Sequence, residues 1–236
     1  MPGNDVTREP KSHSKKNEAS ARGKLSTEAV VDAALLIAER QGFGGLSMRV
    51  LAASLGVSAT ALYHHVKNRN ALLELCAERA LGKVPQPDPK WGWKRRLKFL
   101  IIEQQRICLK YPGLSRYLVT HRDNSAADMY WIDSILDVLC RAGYDALTAI
   151  DVMISMSFVL NPTTLVEEIP RKQKIAMMNA TSANKIIAKN PGKFPRAAEV
   201  LPLLTNFEGG GYFYEGQFET AVDRMIAGIA GDLKKR

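Results

Sequence analysis

Between Ser47 and Val66 the chain is punctuated in a way that few backbone arrangements satisfy. Ser47 is a good N-cap, Val50, Leu51, Ala52 and Leu55 follow as inward positions, and Gly56 supplies the left-handed residue that closes a helix. Val57 is an apolar anchor, and Ser58 caps another helix that runs to about His65. A short helix, a tight glycine turn and a second short helix are spaced as a helix-turn-helix requires. The flanks extend the pattern. A helix begins near Ser26 with Val30, Ala33, Ala34, Ile37 and Gln41 on one face, and Gly42 ends it. Phe43-Gly44-Gly45-Leu46 is a turn with apolar anchors, and Asn68 caps a fourth helix from Arg69 to about Leu81.

Pro85, Pro87 and Pro89 rule out a helix across 82–90, so the first unit spans 25–83 and a second spans 84–236. In the second, helices are predicted over 91–110, 113–120, 125–142, 145–166, 195–204 and 213–235. The stretch 170–190 is polar and ambiguous, and Gly209-Gly210-Gly211 is a break. β-branched alternation is scarce and helical periodicity abundant, so the fold class is all-α. Residues 1–24 are polar, charged and without periodicity, and read as a disordered basic tail. That tail serves equally as a solubilising arm or as a DNA-touching one.

The formal net charge of +9 favours a polyanionic partner, nucleic acid first. Its distribution is diffuse. The first unit sets Arg40, Arg49, Lys67, Arg69, Arg79 and Lys83 against Glu28, Asp32, Glu39, Glu74 and Glu78, a balance of only +1. The DNA reading therefore rests on the motif. Cys76, Cys108 and Cys140 are far apart and odd in number, matching neither a disulfide framework nor zinc spacing. They read as reduced thiols of a cytoplasmic protein. No apolar run approaches the ~18 residues of a membrane span, and no signal peptide is visible. No nucleophile elbow, phosphate-cradling loop or helical metal-ligand pair points to an enzyme, a metal or a cofactor.

At 100° per residue, placing Leu62 in the core turns Thr60 and His64 away from it, with Ala61 and Tyr63 flanking. Tyr63 can donate its hydroxyl to a phosphate or serve as a core aromatic. Lys67 and Arg69 can neutralise phosphates, and Arg49 can do the same or reach a guanine edge. His64 and His65 diverge by 100° and so do not share an ion easily, and His65 lies nearer the core, where it can brace the unit.

The stretch GLSMRVLAASLGVSATALYHHVKNRNALL, Gly45 to Leu73, resembles the DNA-binding domain of the tetracycline-repressor (TetR) family. The matching parts are Gly42-Phe43 with Leu46-Ser47, then Leu51-Ala52 with Leu55-Gly56-Val57, then Leu62 to Asn68 with Ala71-Leu72-Leu73. The resemblance implies a ligand-responsive regulator, a repressor released from a palindromic double-stranded operator by a small-molecule effector. It implies that the third helix reads DNA, with Met48, Arg49, Ala59, Thr60, Tyr63, His64 and Lys67 at the interface beside the capping Ser47 and Ser58. Ala59 and Ala61 are small where relatives carry longer side chains, which leaves specificity to Thr60, His64 and methyl contacts.

The last helix carries Phe218, Val222, Met225, Ile226, Ile229 and Leu233 on a stripe, and 145–166 is apolar nearly all round. A helix of that kind is covered on both sides, by its own domain and by a second subunit or by a monomeric core alone. In the family two such helices build a homodimer, so Ile154, Phe158, Phe218, Val222, Met225 and Ile229 are the candidate interface. The resemblance also implies a cavity among the central helices. Ile102, Arg106, His121, Trp131, Met156 and Asn161 offer the mixture that a small-molecule pocket uses and that an ordinary core also contains.

Overall fold

The computed structural model describes residues 25–121, 126–168, 180–205 and 217–233. The basic tail, Ser125, residues 169–179, the glycine break and the helix start expected at Phe213 lie outside them. All regular structure among the described residues is helical. In order it comprises α1 (Thr27–Gly45), α2 (Met48–Leu55), α3 (Ala59–Tyr63), α4 (Arg69–Leu81), α5 (Trp93–Lys110), α6 (Leu114–Thr120), α7 (Ala126–Arg141), α8 (Ala146–Glu167), α9 (Ala180–Ala188), α10 (Pro195–Thr205) and α11 (Gln217–Leu233). Within the ambiguous polar stretch, the described residues from 180 onward form the short helix α9.

Each expected cap is in use. The hydroxyl oxygens of Ser26, Ser47 and Ser58 accept the N–H groups of Ala29, Val50 and Ala61, each at 3.2 Å, and Asn68 Oδ1 accepts that of Ala71 at 2.9 Å. Gly56 closes α2 at φ 66°, ψ 31°. Gly42 interrupts α1 at φ 75°, ψ 167°, and a Cβ there would stand 2.9 Å from the carbonyl oxygen of Pro112. The N–H of Phe43 donates to that same oxygen at 2.8 Å. Glycine is therefore required twice over at this position, by its backbone angle and by the close approach of the α5–α6 turn.

Leu51, Leu62, Leu72, Cys76 and Ala34 are fully buried in the head formed by α1–α4. That core does not close on itself. Cys108, Tyr111 and Leu114, from beyond the prolines, complete it. The body has its own core of Leu97, Leu100 and Ile101 (α5), Ile135, Val138 and Leu139 (α7), Met156 (α8) and Phe218, Val222 and Ile226 (α11).

This placement corrects part of the expected interface. Phe218 and Val222 point into the body of their own chain and are covered without any partner. Met225 and Ile229 are half-buried against the same core. α8 behaves differently. It buries Ala149 and Met156 inward and leaves Leu147 80% and Phe158 70% exposed, with Ile150 and Ile154 exposed on the same outer side. By length and composition Ala146–Leu165 also suffices to cross a membrane, contrary to the expectation from uninterrupted apolar runs. Its burial is nonetheless one-sided within the bundle, so the exposed stripe is what needs a covering.

Candidate nucleic-acid interface

Leu62 sets the presentation of α3. Its side chain is fully buried, and that fixes the helix rotation so that Ala59, Thr60, Tyr63 and His64 face outward. Burying a leucine stabilises by roughly 1.5–3 kcal/mol, enough to hold a five-residue helix in one orientation. Tyr63 is 52% exposed, which removes the core-aromatic alternative. Val66, 2% exposed, anchors the chain just past the helix and leaves Lys67 in solvent. Arg49 on α2 is exposed as well. Ser47 and Ser58 act as caps, their hydroxyls accepting the N–H groups of Val50 and Ala61.

Two expected members change role. Met48 is buried in the head core with Leu51 and Ala52, so its side chain faces away from any DNA on the α3 side. Arg69 folds back on the α1–α2 turn. Its Nε donates to the carbonyl of Leu46 at 2.6 Å and its Nη2 to that of Phe43 at 3.3 Å. It is a strut joining the start of α4 to that turn rather than a free phosphate contact. His65 is half-buried, and its carbonyl accepts the Thr27 hydroxyl at 3.5 Å, so its bracing runs through the backbone.

The electrostatics are sharper than the segment count suggested. No aspartate or glutamate occurs between Leu46 and Asn70, while Arg49 and Lys67 make no ion pair among the described residues. The five acids of the head sit on α1 and α4. Asp32 engages Arg79 at 3.0 Å, and Glu39 faces Lys110 at 3.7 Å. The near-neutral head therefore has one face that is positive and acid-free, the face that α2 and α3 present. Among the described residues no group of three or more His, Cys, Asp and Glu could hold a metal ion.

The family models decide what this head and body are. Residues 30–76 match "Bacterial regulatory proteins, tetR family" and residues 85–233 match "Tetracyclin repressor-like, C-terminal domain". The chain belongs to the TetR family. It is a DNA-binding transcription regulator. Its TetR relatives include the Escherichia coli tetracycline repressor protein class C, 30% identical over 90% of this chain and 92% of that protein. The Streptomyces coelicolor TetR family protein ActR, solved in complex with actinorhodin, superimposes with a TM-score of 0.74 over 89% of this chain and 97% of its own at 24% identity. BioQ, solved with its double-stranded DNA operator, superimposes at 0.55 over 61% of this chain and 87% of its own at 20% identity.

The expected ligand residues of this TetR chain do not converge. Met156 is in the body core, Ile102 packs half-buried beside it, and Asn161 is half-buried on α8. Arg106 is 68% exposed and paired with Glu103. His121 is exposed at the end of α6, with its ring stacked on Tyr117 at 4.5 Å and its Nδ1 2.9 Å from the Thr120 hydroxyl. Of these six residues only Trp131 lines a cavity of about 760 Å³. That cavity lies where head meets body, between α1 and α4 on one side and α5 and α7 on the other.

Proposed function

We propose that the protein is a homodimeric transcriptional repressor, released from a palindromic operator by a small-molecule effector and acting in the cytoplasm. The observation that carries the reading is the acid-free α2–α3 face, with Arg49, Thr60, Tyr63, His64 and Lys67 outward around the buried Leu62 pivot. On this reading α3 enters the major groove. Thr60 and His64 meet base edges, and Tyr63, Lys67 and Arg49 meet phosphates or, for Arg49, a guanine.

A palindrome needs two such heads related by a two-fold axis. The bare stripe Leu147, Ile150, Ile154 and Phe158 on α8 is the surface that a second copy covers. It is continuous, apolar and on the outer side of the body, and its burial against another α8 removes the apolar surface that would otherwise suit lipid. The reading assigns no catalytic step to the chain.

The test is selection of bound fragments from genomic DNA by the purified protein, followed by titration of the recovered sequence at fixed salt. A preference of roughly 10³-fold or more for one palindrome supports a specific repressor. Equal affinity for every duplex with a steep salt slope would make it an architectural DNA-binding protein instead.

A further inference from the structure

We propose that the end of the body remote from the head carries a second contact for duplex DNA, one that holds backbone phosphates and lets the protein bridge two duplexes. Three elements meet at that end. α5 starts there and runs 18 residues, about 27 Å, before Cys108 and Tyr111 enter the head core. At its start Trp93 meets Tyr144 of the α7–α8 turn edge-on, with ring centroids 6.1 Å apart. The Tyr144 hydroxyl in turn donates to the carbonyl of Ile229 near the end of α11. The stretch Lys90-Trp91-Gly92-Trp93-Lys94-Arg95-Arg96-Leu97-Lys98 therefore lies at the end from which Lys234, Lys235 and Arg236 continue the chain past α11.

The charge there is positive after every neighbour is counted. Residues 88–98, 137–145 and 232–236, with Glu219 and Asp223, set nine cations against six carboxylates. Arg96 and Arg141 share Asp137, and Lys98 is held by Asp223 and Glu219. Asp88 accepts the N–H of Lys90, and Asp145 accepts that of Thr148, each keeping its charge within a turn. Lys90, Lys94 and Arg95 are exposed and make no ion pair among the described residues.

The fold does not ask for these cations. Lys94 and Arg95 stand in the first turn of α5, which has no acid and no side-chain cap, and a cation there opposes the helix dipole. A local rule broken in solvent, with no compensating contact in the chain, points to a partner. The Arg95 guanidinium lies 3.8 Å over the Trp91 ring, which restrains a group suited to bidentate phosphate contact. Trp91 and Trp93 pack edge-on against Phe99 and Tyr144, so neither ring is free to enter a bilayer, and the face offers charge instead. Cations at a helix end contact phosphates rather than base edges, so the contact is blind to sequence.

The bridging rests on the reading that Arg49 and Lys67 hold DNA at the head. The test uses the full chain and two 30-base-pair duplexes of unrelated sequence, one carrying a fluorescence donor and the other an acceptor, at 50 mM salt. The wild type should bring donor and acceptor together. Lys94→Glu with Arg95→Glu should abolish the energy transfer, keep single-duplex binding by anisotropy and leave Tm unchanged or raised; Lys90→Gln with Lys94→Gln serves if that pair misfolds. Arg49→Glu with Lys67→Glu should leave a weak residual affinity that falls about fortyfold between 50 and 200 mM salt, as three phosphate contacts at a slope of about 0.9 each require. Adding the two α5 substitutions should remove that residue of binding. Absence of transfer in the wild type overturns the proposal. So does transfer or residual binding that survives the α5 substitutions, because the paired heads or the basic tail would then account for it. Capture by phosphatidylglycerol vesicles that needs Lys94 and Arg95, without energy transfer, would make the face a lipid contact instead. The head reading fails on a different result, an affinity left untouched by Arg49→Glu with Lys67→Glu.

Discussion

Arg69 and Lys67 stand two residues apart at the edge of the α3 face, and they are assigned opposite work. Arg69 donates to the carbonyls of Leu46 and Phe43, and Lys67 is exposed with no ion pair among the described residues. Arg69→Ala should therefore act on the fold. A charge-assisted hydrogen bond contributes about 1.5–3 kcal/mol when buried, and the partly exposed guanidinium reduces the pair together to about 1–2 kcal/mol. For a chain of 236 residues that is a fall of roughly 2–8 °C in Tm. Lys67→Ala should leave Tm unchanged and act on DNA. Each lost phosphate contact lowers the slope of log K against log salt by about 0.9, or about 1.8 for a dimer. Between 50 and 200 mM salt that predicts a loss of affinity roughly twelvefold greater at the low-salt end. Thermal melts and fluorescence anisotropy on the selected operator across a salt series measure the two quantities. If Arg69→Ala reduced the salt slope as Lys67→Ala does and left Tm alone, Arg69 would be a phosphate contact and the strut assignment would be wrong.

Other residues yield tests of the same kind. Gly42→Ala should cost about 2–3 kcal/mol through its positive φ and the Pro112 oxygen, lowering Tm by roughly 5–10 °C, whereas Gly44→Ala, with open space around it, should not. Phe158→Asp should convert the species measured by light scattering from twice the 26.1 kDa chain to the chain alone, and an unchanged mass would place the interface off the α8 stripe. Burial pushes the Cys76 thiol up to about 12 and that of Cys108 to about 11, while Cys140 is exposed. Iodoacetamide at pH 8 should therefore label Cys140 alone until the chain is denatured, and native labelling of Cys76 at a similar rate would contradict the buried head core. Desolvation raises Glu168 above its ordinary value of 4.5, although its Oε2 accepts the Gly113 N–H at 3.0 Å. A raised carboxyl contributes stability that is complete below the unfolded value and lost as pH rises through the folded one, so Glu168→Gln should flatten the decline of Tm with rising pH just above 4.5.

The helices, caps and turn of the head were legible because each is signalled locally. Ser47, Gly56, Ser58 and Asn68 act within three residues of themselves, and the spacing of Leu51, Leu62 and Leu72 marks the inward faces. Met48 was expected at the DNA from the resemblance, although its spacing argues otherwise. It lies three and four residues before Leu51 and Ala52 on one helical stripe, and that periodicity places it inside, as observed. Arg69 was not legible, since its acceptors lie twenty-three and twenty-six residues back and only the folded turn aims them at it. The acid-free face was hidden by averaging, because a charge count over 25–83 mixes α2 and α3 with the acids of α1 and α4. For α8 and α11, periodicity shows that an apolar stripe must be covered without showing by what. Val222 is covered by its own chain, and Phe158 is left exposed by it. The cavity was missed because Val31, Glu78 and Ser134 come together only when the head docks on the body.

That docking changes what the proline stretch does. Three prolines between two helical units mark a domain boundary, which by itself would leave the head free to swing. The structure ties the head to the body past the linker instead. Tyr111 is 1% exposed within the head core, its hydroxyl accepts from Lys83, and the N–H of Phe43 donates to the Pro112 carbonyl. A swing at 85–89 would break all three contacts and expose Tyr111, so head movement has to travel with the α5–α6 turn. α4 lies between the two sets of contacts. Leu72 and Cys76 on one side pack in the head core, and Leu75 and Glu78 on another line the cavity. A rotation of α4 would carry the Arg69 strut at its start, and with it the α1–α2 turn that seats α2. α4 is thus a packed helix with two sets of neighbours rather than a flexible joint.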